Sequence, residues 1–494
     1  MSVEQFDAII IGAGFGGMGV AIQLKQLGLE NVAILDREDD VGGTWHVNRY
    51  PGLTVDVPST TYSYRFEPNP YWSRLFPPGH ELKRYATHVA DKYDLRRSMR
   101  FNTTVEGAQW DEDARLWRVN IAGGETLSAQ FLVAATGFLC QPRMPDIPGI
   151  DSFEGRVLHA AQWQDGDSVE GRRAAIVGTG STGVQLIPEL AKVADELTVY
   201  QRTPTWVLPK FDFGFPSVVQ RLFAKRPRSQ RILRWFTDNG MDVMMLVAMW
   251  KYRYFKIVNW SAMNSSKFNQ FIWIRDRELR RKLTPDYDYG CKRPTVSNTY
   301  YRAFSRRHVH LETEGIDRVE PDGIVTRDGR KRLVDTLVLA TGFDVWESNL
   351  PAIEVIGRDG RNLGKWWRDN RFQAYEGLSV PGFPNFLTSA SPYAWVGLSW
   401  FNTVEYQMRH IERLIGELQR RDATVFEVTE AANTRFLEQM DELLEDSVFR
   451  LGQCTGSRSY WFNHSGDAPL FRPTSARRAM KEQERFPLSD YELA

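Results

Sequence analysis

Glycines at two matching sets of positions are the residues of this chain whose spacing most directly predicts chemistry. The pattern Gly-x-Gly-x-x-Gly occurs at Gly12, Gly14 and Gly17, and again at Gly178, Gly180 and Gly183. Each copy follows a short apolar run that predicts a buried strand, and each precedes a helical pattern. In that setting the first glycine permits a tight turn, the second lets the backbone approach a pyrophosphate, and the third lets the helix pack on the strand. The sequence therefore predicts two dinucleotide-binding sites.

The residues that end the second strand differ between the two units. The first unit ends this strand on Asp36, whose carboxylate can accept hydrogen bonds from ribose hydroxyls. The second unit presents Arg202 and Thr203 after the strand Leu197 to Tyr200. An acid would repel a 2′-phosphate, whereas an arginine beside a hydroxyl can bind it through charge-assisted hydrogen bonds. This difference predicts FAD at the first site and NADP at the second. The alternative is that Arg202 is a solvated charge on a loop.

The composition argues against several other classes of protein. Lys+Arg and Asp+Glu are equal at 62 each, so no overall field attracts nucleic acid. The cysteines Cys140, Cys291 and Cys454 are far apart and form no C-x-x-C, which predicts neither a disulfide framework nor a zinc site and favours a reducing cytoplasm. No signal-peptide pattern precedes the first strand, and the longest apolar run, Val243 to Trp250, is shorter than the about 20 residues that span a bilayer. We therefore expect a cytoplasmic protein without a metal site.

The order of these patterns predicts the fold class: an α/β protein with two Rossmann-like dinucleotide-binding domains, for FAD and NADP, and an additional helical subdomain. The segment Leu333 to Gly342 ends in Ala-Thr-Gly, as does the segment Phe131 to Gly137. This repeat predicts that the chain returns there to the first fold, so that the second is inserted in the first. The expected segments are 1–145 and 331–494 for the FAD domain with the C-terminal region, 146–210 and 288–330 for the NADP domain, and 211–287 for a helical insert. The last twenty residues are charged and are expected to be loosely held.

The segment 211–287 follows neither nucleotide pattern and is rich in aromatic and basic residues, such as Trp235, Trp260, Arg228 and Lys256. We predict that it is an inserted set of helices. Two interpretations of its surface are open. One is a peripheral contact with lipid or an apolar access route. The other is that the helices pack on the sheet and leave their basic faces in solvent.

Four residues at the junction between the two units have a fixed spacing: Phe153, Gly155, His159 and Trp163. Their position suggests a hinge or coupler between the two cofactors. Together with the paired glycine motifs and both Ala-Thr-Gly segments, this junction resembles that of the class B flavoprotein monooxygenases. These enzymes hold FAD and NADPH in two Rossmann-like folds.

Two features indicate the branch within this class. The junction ends on Trp163, and the loop from Gly43 to Asp56 contains Gly43-x-Trp45 and Tyr50-Pro51-Gly52. Both resemble the type I Baeyer-Villiger monooxygenases, which use dioxygen to turn a ketone into an ester or lactone. The expected substrate is a small apolar ketone. Gln164 stands where this family usually has Pro or Asp, so oxygenation of amines or sulfides by the hydroperoxyflavin remains the alternative.

The resemblance implies a catalytic pair. Arg293 corresponds to the arginine that lies over the flavin, and Asp56 to the carboxylate that pairs with it. A guanidinium supplies several donors and a charge that cannot be lost, which favours a C4a-peroxyflavin anion able to attack a carbonyl carbon. The alternative for Asp56 and Arg293 is a structural ion pair.

Further residues are assigned to the cofactors. By resemblance, Lys292 joins Arg202 and Thr203 in the 2′-phosphate clamp, Trp461 contacts the nicotinamide end, and His159 and Trp163 couple the domains without transferring protons. The other predicted cofactor-binding residues are Thr44, Trp45, Asp56, Tyr62 and Val105, and in the second glycine loop Thr179, Ser181 and Thr182. A flavin disulfide reductase would need a redox cysteine pair, which the wide cysteine spacing argues against. A non-enzymatic nucleotide fold acting as a membrane-surface scaffold would give colourless protein.

Overall fold

Strands and helices alternate through both predicted nucleotide units in the computed structural model, which describes residues 3–494. The predicted strand Val32–Leu35 is found with the same bounds. The strands are β1 (Glu4–Ile11), β2 (Val32–Leu35), β3 (Met99–Arg100), β4 (Val105–Asp111), β5 (Leu116–Ile121), β6 (Thr126–Ala134), β7 (Arg156–His159), β8 (Arg173–Val177), β9 (Glu196–Tyr200), β10 (Val207–Leu208), β11 (Thr295–Val296), β12 (Val309–Glu312), β13 (Ile316–Glu320), β14 (Gly323–Thr326), β15 (Lys331–Leu333), β16 (Thr336–Leu339), β17 (Glu354–Ile356), β18 (Phe386–Thr388), β19 (Phe426–Val428) and β20 (Tyr491–Leu493).

Helices follow each glycine loop and fill the segment between the two halves of the second unit. The α-helices are α1 (Phe15–Gln26), α2 (Thr44–Val47), α3 (Gly79–Lys92), α4 (Ser181–Val193), α5 (Ser217–Lys225), α6 (Pro227–Met245), α7 (Lys256–Trp273), α8 (Arg277–Leu283), α9 (Tyr300–Ala303), α10 (Leu363–Asn370), α11 (Trp400–Arg420), α12 (Glu430–Leu444), α13 (Val448–Leu451) and α14 (Ala476–Gln483). A π-helical turn, Leu246–Trp250, continues α6.

The first sheet has a parallel core. Its strand order is β17-β4-β5-β6-β1-β2-β3; β6, β1, β2 and β3 are parallel, and β4, β5 and β6 form an antiparallel meander. β18 pairs with the carboxyl half of β6, beyond the residues that pair with β5. Ile9 and Ile10 of β1 have no exposed surface, as expected for a parallel strand that is covered on both faces.

The second sheet is parallel throughout, in the order β12-β9-β8-β16-β7. The helix α4 connects β8 to β9, as the second glycine motif predicted. All strands of this sheet lie in the sequence between β6 and β17 of the first sheet. The predicted fold class, two Rossmann-like units with the second inserted in the first and an added helical part, is therefore confirmed.

The chain returns to the first sheet later than predicted. β16, the strand before the second Ala-Thr-Gly, pairs with β7 and β8 of the second sheet, so its assignment to the first fold was wrong. The first sheet is resumed with β17 and β18, which pair with β4 and β6. The reason is that an Ala-Thr-Gly segment ends a strand in each unit, where Ala135 and Ala340 contact the first glycine of their own loops. The other segment boundaries stay predictions.

The insert is helical, with α5 to α8 between β10 and β11. Its two ends meet because β10 and β11 form a short parallel pair in which Val207 lies opposite Thr295. Among residues 3–494, none of the helices combines the length and the apolar character needed to cross a bilayer.

The C-terminal residues are held in the fold, contrary to the expectation that they are loose. β20 pairs with β19, and Tyr491 is 5% exposed. Its hydroxyl contacts His410 Nε2 and Ser379 Oγ, each at 2.7 Å. The ring of Phe486 stacks on His410 with a centroid distance of 4.1 Å. The prediction rested on the many charges of this segment. A few aromatic side chains between those charges are buried, and they hold the segment in the fold.

Candidate active site

The first glycine loop leaves no room for side chains at its turn. Gly12 has φ +115°, and a Cβ there would lie 2.5 Å from the carbonyl oxygen of Ala135. A Cβ on Gly17 would collide with the carbonyl oxygen of Gly12. Gly14 lies against Gly43: a Cβ added to Gly14 would be 3.7 Å from the Gly43 Cα. Two glycine backbones therefore meet here without a side chain between them. This bare backbone at the start of α1 fits a pyrophosphate.

Asp36 closes the same loop from the end of β2. Its Oδ2 accepts a hydrogen bond of 2.6 Å from the Ala13 N–H, and its Oδ1 accepts one of 3.0 Å from the Glu38 N–H. The carboxylate is thereby fixed beside the glycine turn. This is the position from which an acid can reach the ribose of an adenosine.

The second glycine loop repeats this construction. Gly178 has φ +112°, and a Cβ added there would collide with the Ala340 carbonyl oxygen. A Cβ added to Gly183 would collide with the carbonyl oxygen of Gly178. Gly180 faces open space: a Cβ added there would have no atom of residues 3–494 within 4 Å. The Thr179 hydroxyl donates to the Thr203 carbonyl at 3.2 Å, which ties the loop to the residues after β9. The loop therefore offers a second phosphate position at the start of α4.

The predicted residues Ser181 and Thr182 begin α4 and are half-buried. The loop 42–56 from the first unit packs on this helix. The Tyr50 hydroxyl donates to Gln185 Oε1 at 3.0 Å, and Gln185 Nε2 donates to the Thr54 carbonyl at 2.9 Å. The loop thus brings Asp56 from the first unit to the boundary with the second.

Arg293 and Asp56 form a bidentate pair at this boundary. Arg293 Nη2 is 2.8 Å from Asp56 Oδ1 and 2.7 Å from Oδ2, and Nε is 3.1 Å from Oδ2. Both side chains are about a quarter exposed, at 24% and 26%. The Arg293 guanidinium lies 5.6 Å from the centre of the Trp395 ring. The Arg293 guanidinium is therefore held by a carboxylate and by an aromatic ring.

The charge of Arg293 is secured by its surroundings. Burial disfavours the charged form, but Asp56 and then Tyr460 outweigh it, and the pKa of Arg293 is raised above its ordinary value. Tyr460 belongs to a segment that the sequence singled out only for its neighbour Trp461. No sequence pattern predicted that Tyr460 would contact the arginine, because more than 160 residues separate them in the chain.

An aromatic wall continues from Trp395. Its ring is 5.6 Å from Phe138 and 5.3 Å from Phe471, and Phe471 is 4.9 Å from Trp461. Trp461 is therefore buried two rings away from Arg293. Its indole N–H, like that of Trp395, is buried and has no hydrogen-bond partner among residues 3–494. These two donors fit a bound group that would accept from them.

The other residues predicted to bind FAD are only partly brought together. Trp45 Nε1 donates to the Tyr62 hydroxyl at 3.2 Å, and burial raises the pKa of Tyr62 to about 12. Thr44 is exposed at the start of α2, directly after the Gly43 turn. Val105 begins β4, where it pairs with Ile121. The roles of these four residues stay predictions.

A cluster of cations surrounds the residues after β9. Burial, and then the neighbouring Arg458 and Arg143, lower the pKa of Arg202. Burial, and then Arg202, lower the pKa of Lys292 to about 8. Within residues 3–494, none of these four side chains has a carboxylate within 4.0 Å. Positive groups that repel each other without a counter-charge predict a bound anion.

Two members of this cluster were missed by sequence reasoning. Arg143 follows the first Ala-Thr-Gly segment, and its backbone N–H donates to the Gly342 carbonyl of the second one at 2.9 Å. The charge of Arg143 lies close enough to Arg202 to lower the pKa of that side chain. Arg458 has a left-handed backbone, with φ +45°. In its segment the sequence analysis predicted a cofactor contact for Trp461 but none for Arg458. Neither position follows a spacing rule, because each depends on how distant segments meet.

The junction residues have structural contacts. His159 Nδ1 accepts from the Ala161 N–H at 3.2 Å, and its Nε2 is 3.3 Å from the Thr341 hydroxyl, which donates to the Arg143 carbonyl at 2.6 Å. Because Nδ1 accepts a hydrogen bond and the Thr341 hydroxyl donates elsewhere, these contacts assign the ring proton to Nε2. Burial lowers the pKa of His159. His159 thus links the junction to the second Ala-Thr-Gly segment.

The other three junction residues shape the packing around it. Phe153 and Trp163 are buried in different apolar clusters, at 9% and 5% exposure. A Cβ on Gly155 would lie 2.6 Å from the Phe153 ring and 2.6 Å from the Asp335 carbonyl oxygen. The coupling role of these residues stays a prediction.

The cysteines were predicted to be separate, and this was wrong for two of them. Cys291 and Cys454 form a disulfide, whereas Cys140 is free. Their segments meet because Asp288 Oδ2 accepts from the Gln453 N–H at 2.8 Å. Distance along the chain did not reveal this contact. The disulfide adjoins Lys292 and Arg293, and among residues 3–494 no group of His, Cys, Asp and Glu side chains could hold a metal ion.

Comparisons with known proteins agree with this geometry. The family described as "Pyridine nucleotide-disulphide oxidoreductase" matches residues 9–222, a span in which Cys140 is the only cysteine. A Baeyer-Villiger monooxygenase of Streptomyces coelicolor is 34% identical over 99% of this chain and 93% of its own length. Another, of Pseudomonas aeruginosa, is 34% identical over 98% of this chain and 90% of its own.

Solved structures agree as well. The closed crystal structure of cyclohexanone monooxygenase has a TM-score of 0.87 and 28% identity, and the match covers 100% of both chains. The OTEMO complex with FAD and NADP has a TM-score of 0.86 and 28% identity, again over 100% of both chains. Identity at this level over nearly the full length of two relatives shows that the chain belongs to the Baeyer-Villiger monooxygenase family.

Proposed function

We propose that this protein is an FAD-containing, NADPH-dependent monooxygenase that inserts one oxygen atom of dioxygen beside the carbonyl of an apolar ketone, giving an ester or lactone. The observation that carries the proposal is the bidentate Arg293–Asp56 pair, held at the boundary of two dinucleotide folds. The relatives are named for this reaction.

The residues present fit FAD at the first glycine loop. Gly12, Gly14 and Gly17 leave backbone open to a pyrophosphate, and Asp36 is positioned for the ribose. The related OTEMO structure holds FAD and NADP. When bound, FAD reduced by NADPH supplies the chemistry that activates dioxygen.

The second loop fits NADPH. Gly178, Gly180 and Gly183 provide the phosphate turn, and the cations Arg202, Lys292, Arg143 and Arg458 provide an uncompensated positive site for a 2′-phosphate. Thr203 lies beside this site, tied to the loop through Thr179. NADH lacks the 2′-phosphate and would leave these charges unpaired, so the cluster favours NADPH.

Arg293 has two properties that suit oxygen insertion. Its pKa is raised, so the positive charge is present throughout the working pH range. Nε and Nη2 bond to Asp56, whereas Nη1 takes no part in that pair. Nη1 can therefore donate to an oxygen that gains negative charge during the reaction, a contribution that typically accounts for about 100-fold to 1,000-fold in rate.

Asp56 and the aromatic rings fix that donor. The carboxylate holds the guanidinium through two of its nitrogens, and the guanidinium lies over the Trp395 ring at 5.6 Å. The wall of Trp395, Phe138 and Phe471 presents apolar surface beside the charge. An apolar surface beside the charge favours an apolar ketone over a charged substrate.

The test is product analysis after incubation with a panel of cyclic and linear ketones, NADPH and air. Esters or lactones that carry one atom of oxygen from labelled dioxygen are expected. NADPH consumption without oxygen insertion into any ketone would contradict the proposal. Oxygenation of amines or sulfides, the second interpretation from the sequence, gains no support from relatives named for the Baeyer-Villiger reaction.

A further inference from the structure

Helix α7 is inverted relative to an ordinary surface helix. Its buried side is polar: Asn259, Ser266, Asn269 and Gln270 are each no more than 4% exposed. Its solvent side is apolar, with exposures from 55% to 65%: Ile257, Trp260, Phe268, Phe271 and Ile272. A surface helix in water normally has the opposite arrangement.

The buried polar side chains of α7 have partners. Asn259 Nδ2 donates to the Tyr289 carbonyl, and Asn269 Nδ2 donates to the Ser297 carbonyl at 3.2 Å. Gln270 Nε2 donates to the Leu283 carbonyl at 3.2 Å. The fold therefore explains why the inner face is polar. Nothing inside the fold requires the outer face to be apolar.

Helix α6 also buries polar side chains and exposes apolar ones, although Met245 at its end is buried too. Its inward side chains include Gln230 and Arg234, at 3% and 6% exposure. Gln230 Nε2 donates to the Asn69 carbonyl at 2.7 Å, and Arg234 pairs with Asp238 at 3.4 Å. Its outward apolar side chains are 41% to 62% exposed: Ile232, Trp235, Phe236, Val243 and Met244.

The apolar surface is concentrated in this part of the molecule. Of the 24 large apolar side chains that are exposed among residues 3–494, 16 lie between Phe211 and Ile272. Single exposed apolar residues are normal, but a concentration of this size marks an interaction surface. The remaining eight are spread over the rest of the described chain.

The charge of the same segment is one-sided. Residues 217–275 contain 11 Lys and Arg but only two Asp and no Glu, a difference of +9, whereas the whole chain has 62 of each sign. Both acids are engaged within the protein. Asp238 pairs with Arg65 and Arg234, and Asp242 accepts from the Ala476 N–H at 3.1 Å. The free charges beside the apolar faces are therefore positive.

We propose that α6 and α7 dock this protein peripherally on the surface of an anionic phospholipid bilayer. The aromatic and aliphatic side chains would enter the headgroup region, and the basic residues Arg228, Arg231, Lys256 and Lys267 would contact lipid phosphates. A second copy of the chain fits less well, because joining two such faces would bring like charges together. This interaction does not depend on the proposed reaction.

Co-sedimentation of the FAD-loaded protein with vesicles tests the docking. Vesicles of phosphatidylcholine with phosphatidylglycerol are compared with vesicles of phosphatidylcholine alone, and binding is expected only to the anionic set. The double variant Trp260→Ser/Phe268→Ser should weaken binding at least about tenfold. The variant Lys256→Gln/Lys267→Gln should weaken it about tenfold and reduce its salt sensitivity. Leu333→Ser, which changes a 50% exposed apolar side chain on β15, away from the insert, is the matched control and should bind as the wild type does.

Flavin absorption and NADPH oxidation verify that each variant is folded. Absence of binding to both vesicle sets would overturn the proposal, and equal binding to both would overturn the role of anionic lipid. A dimer in sedimentation velocity that Trp260→Ser/Phe268→Ser dissociates, without vesicle binding, would assign the face to a second copy and also overturn it. Because vesicle binding is measured without substrate, its failure is distinguishable from failure of the proposed reaction.

Discussion

In both nucleotide units the first glycine of the loop lies against the carbonyl oxygen of an alanine, Ala135 in the first and Ala340 in the second. The backbone arrangement of the glycine loop is therefore the same in both units. The surroundings differ. Asp36 is bonded into the first loop, whereas Arg202 and its cationic neighbours lie beside the second with no carboxylate within 4.0 Å in the described part of the chain. We infer that the glycines provide the phosphate turn in both units and that the residues after the second strand select which nucleotide binds.

The largest effect is expected from adding a side chain to one of the two glycine loops. Gly17→Ala places a Cβ against the Gly12 carbonyl, so we expect loss of bound FAD and of all activity. Gly183→Ala places one against the Gly178 carbonyl, and it should retain yellow, FAD-loaded protein that no longer oxidises NADPH. Flavin absorption and NADPH oxidation check both variants.

The control for this pair is Gly416→Ala in α11, where a built Cβ meets no atom within 4 Å. It should retain both cofactors and raise the free energy of unfolding by about 0.5–1 kcal/mol. If Gly183→Ala instead lost FAD and retained NADPH oxidation with added FAD, the assignment of the two loops would be reversed.

The second effect in size concerns the cation cluster. Arg202→Ala and Arg458→Ala should each lower kcat/KM for NADPH about tenfold to 100-fold, because each removes a charge-assisted bond to the 2′-phosphate. The kcat/KM for NADH should change little. Steady-state kinetics with both coenzymes measures this. Equal losses for NADPH and NADH would show that the cluster does not recognise the 2′-phosphate.

A smaller, pH-dependent effect follows from Lys292. Burial and then Arg202 lower its pKa to about 8. The ammonium is therefore charged below about pH 8 and loses its charge as the pH rises through that value. The kcat/KM for NADPH, which reports the free enzyme, should fall several-fold between about pH 7 and about pH 9.

The control for this profile is Lys292→Arg, whose side chain keeps its charge over this range and should flatten the decline. NADH, which lacks the 2′-phosphate, should show little decline with either protein. A decline of the same size in the Lys292→Arg variant would assign the titration to another group.

The smallest effect on catalysis is expected from the disulfide. Cys291 precedes Lys292, and Cys454 precedes Arg458 by four residues, so the bond joins two segments of the cation cluster. Cys291→Ser/Cys454→Ser should lower the thermal midpoint and lower kcat/KM for NADPH about twofold to fivefold, with FAD content unchanged. Wild-type protein treated with a reductant should behave in the same way, and unchanged melting in both would argue against the bond.

Local patterns in the sequence predicted much of the fold. Both glycine loops and the strand Val32–Leu35 follow from spacing and apolar runs, because these features depend on residues that are near one another in the chain. The placement of β16 was wrong, because one motif ends a strand in each unit. The pairing of Arg293 with Asp56, 237 residues apart, was implied only by resemblance to a family.

The rest could not be predicted because it depends on contacts between distant segments. Arg143 and Arg458 join Arg202 only when three loops meet, and no spacing encodes that meeting. The inversion of α7 was also missed. The sequence showed aromatic and basic residues in this segment but did not indicate which face of the helix would be buried.

The central claim is that a permanently charged Arg293, fixed by Asp56 between the two units, makes oxygen insertion possible. The most direct measurement compares Arg293→Ala with wild type for FAD content, NADPH oxidation and ester or lactone yield in the same assay. We expect FAD to be retained, NADPH still to be consumed with release of hydrogen peroxide, and product to fall at least about 100-fold. Undiminished product from the Arg293→Ala variant would contradict the claim.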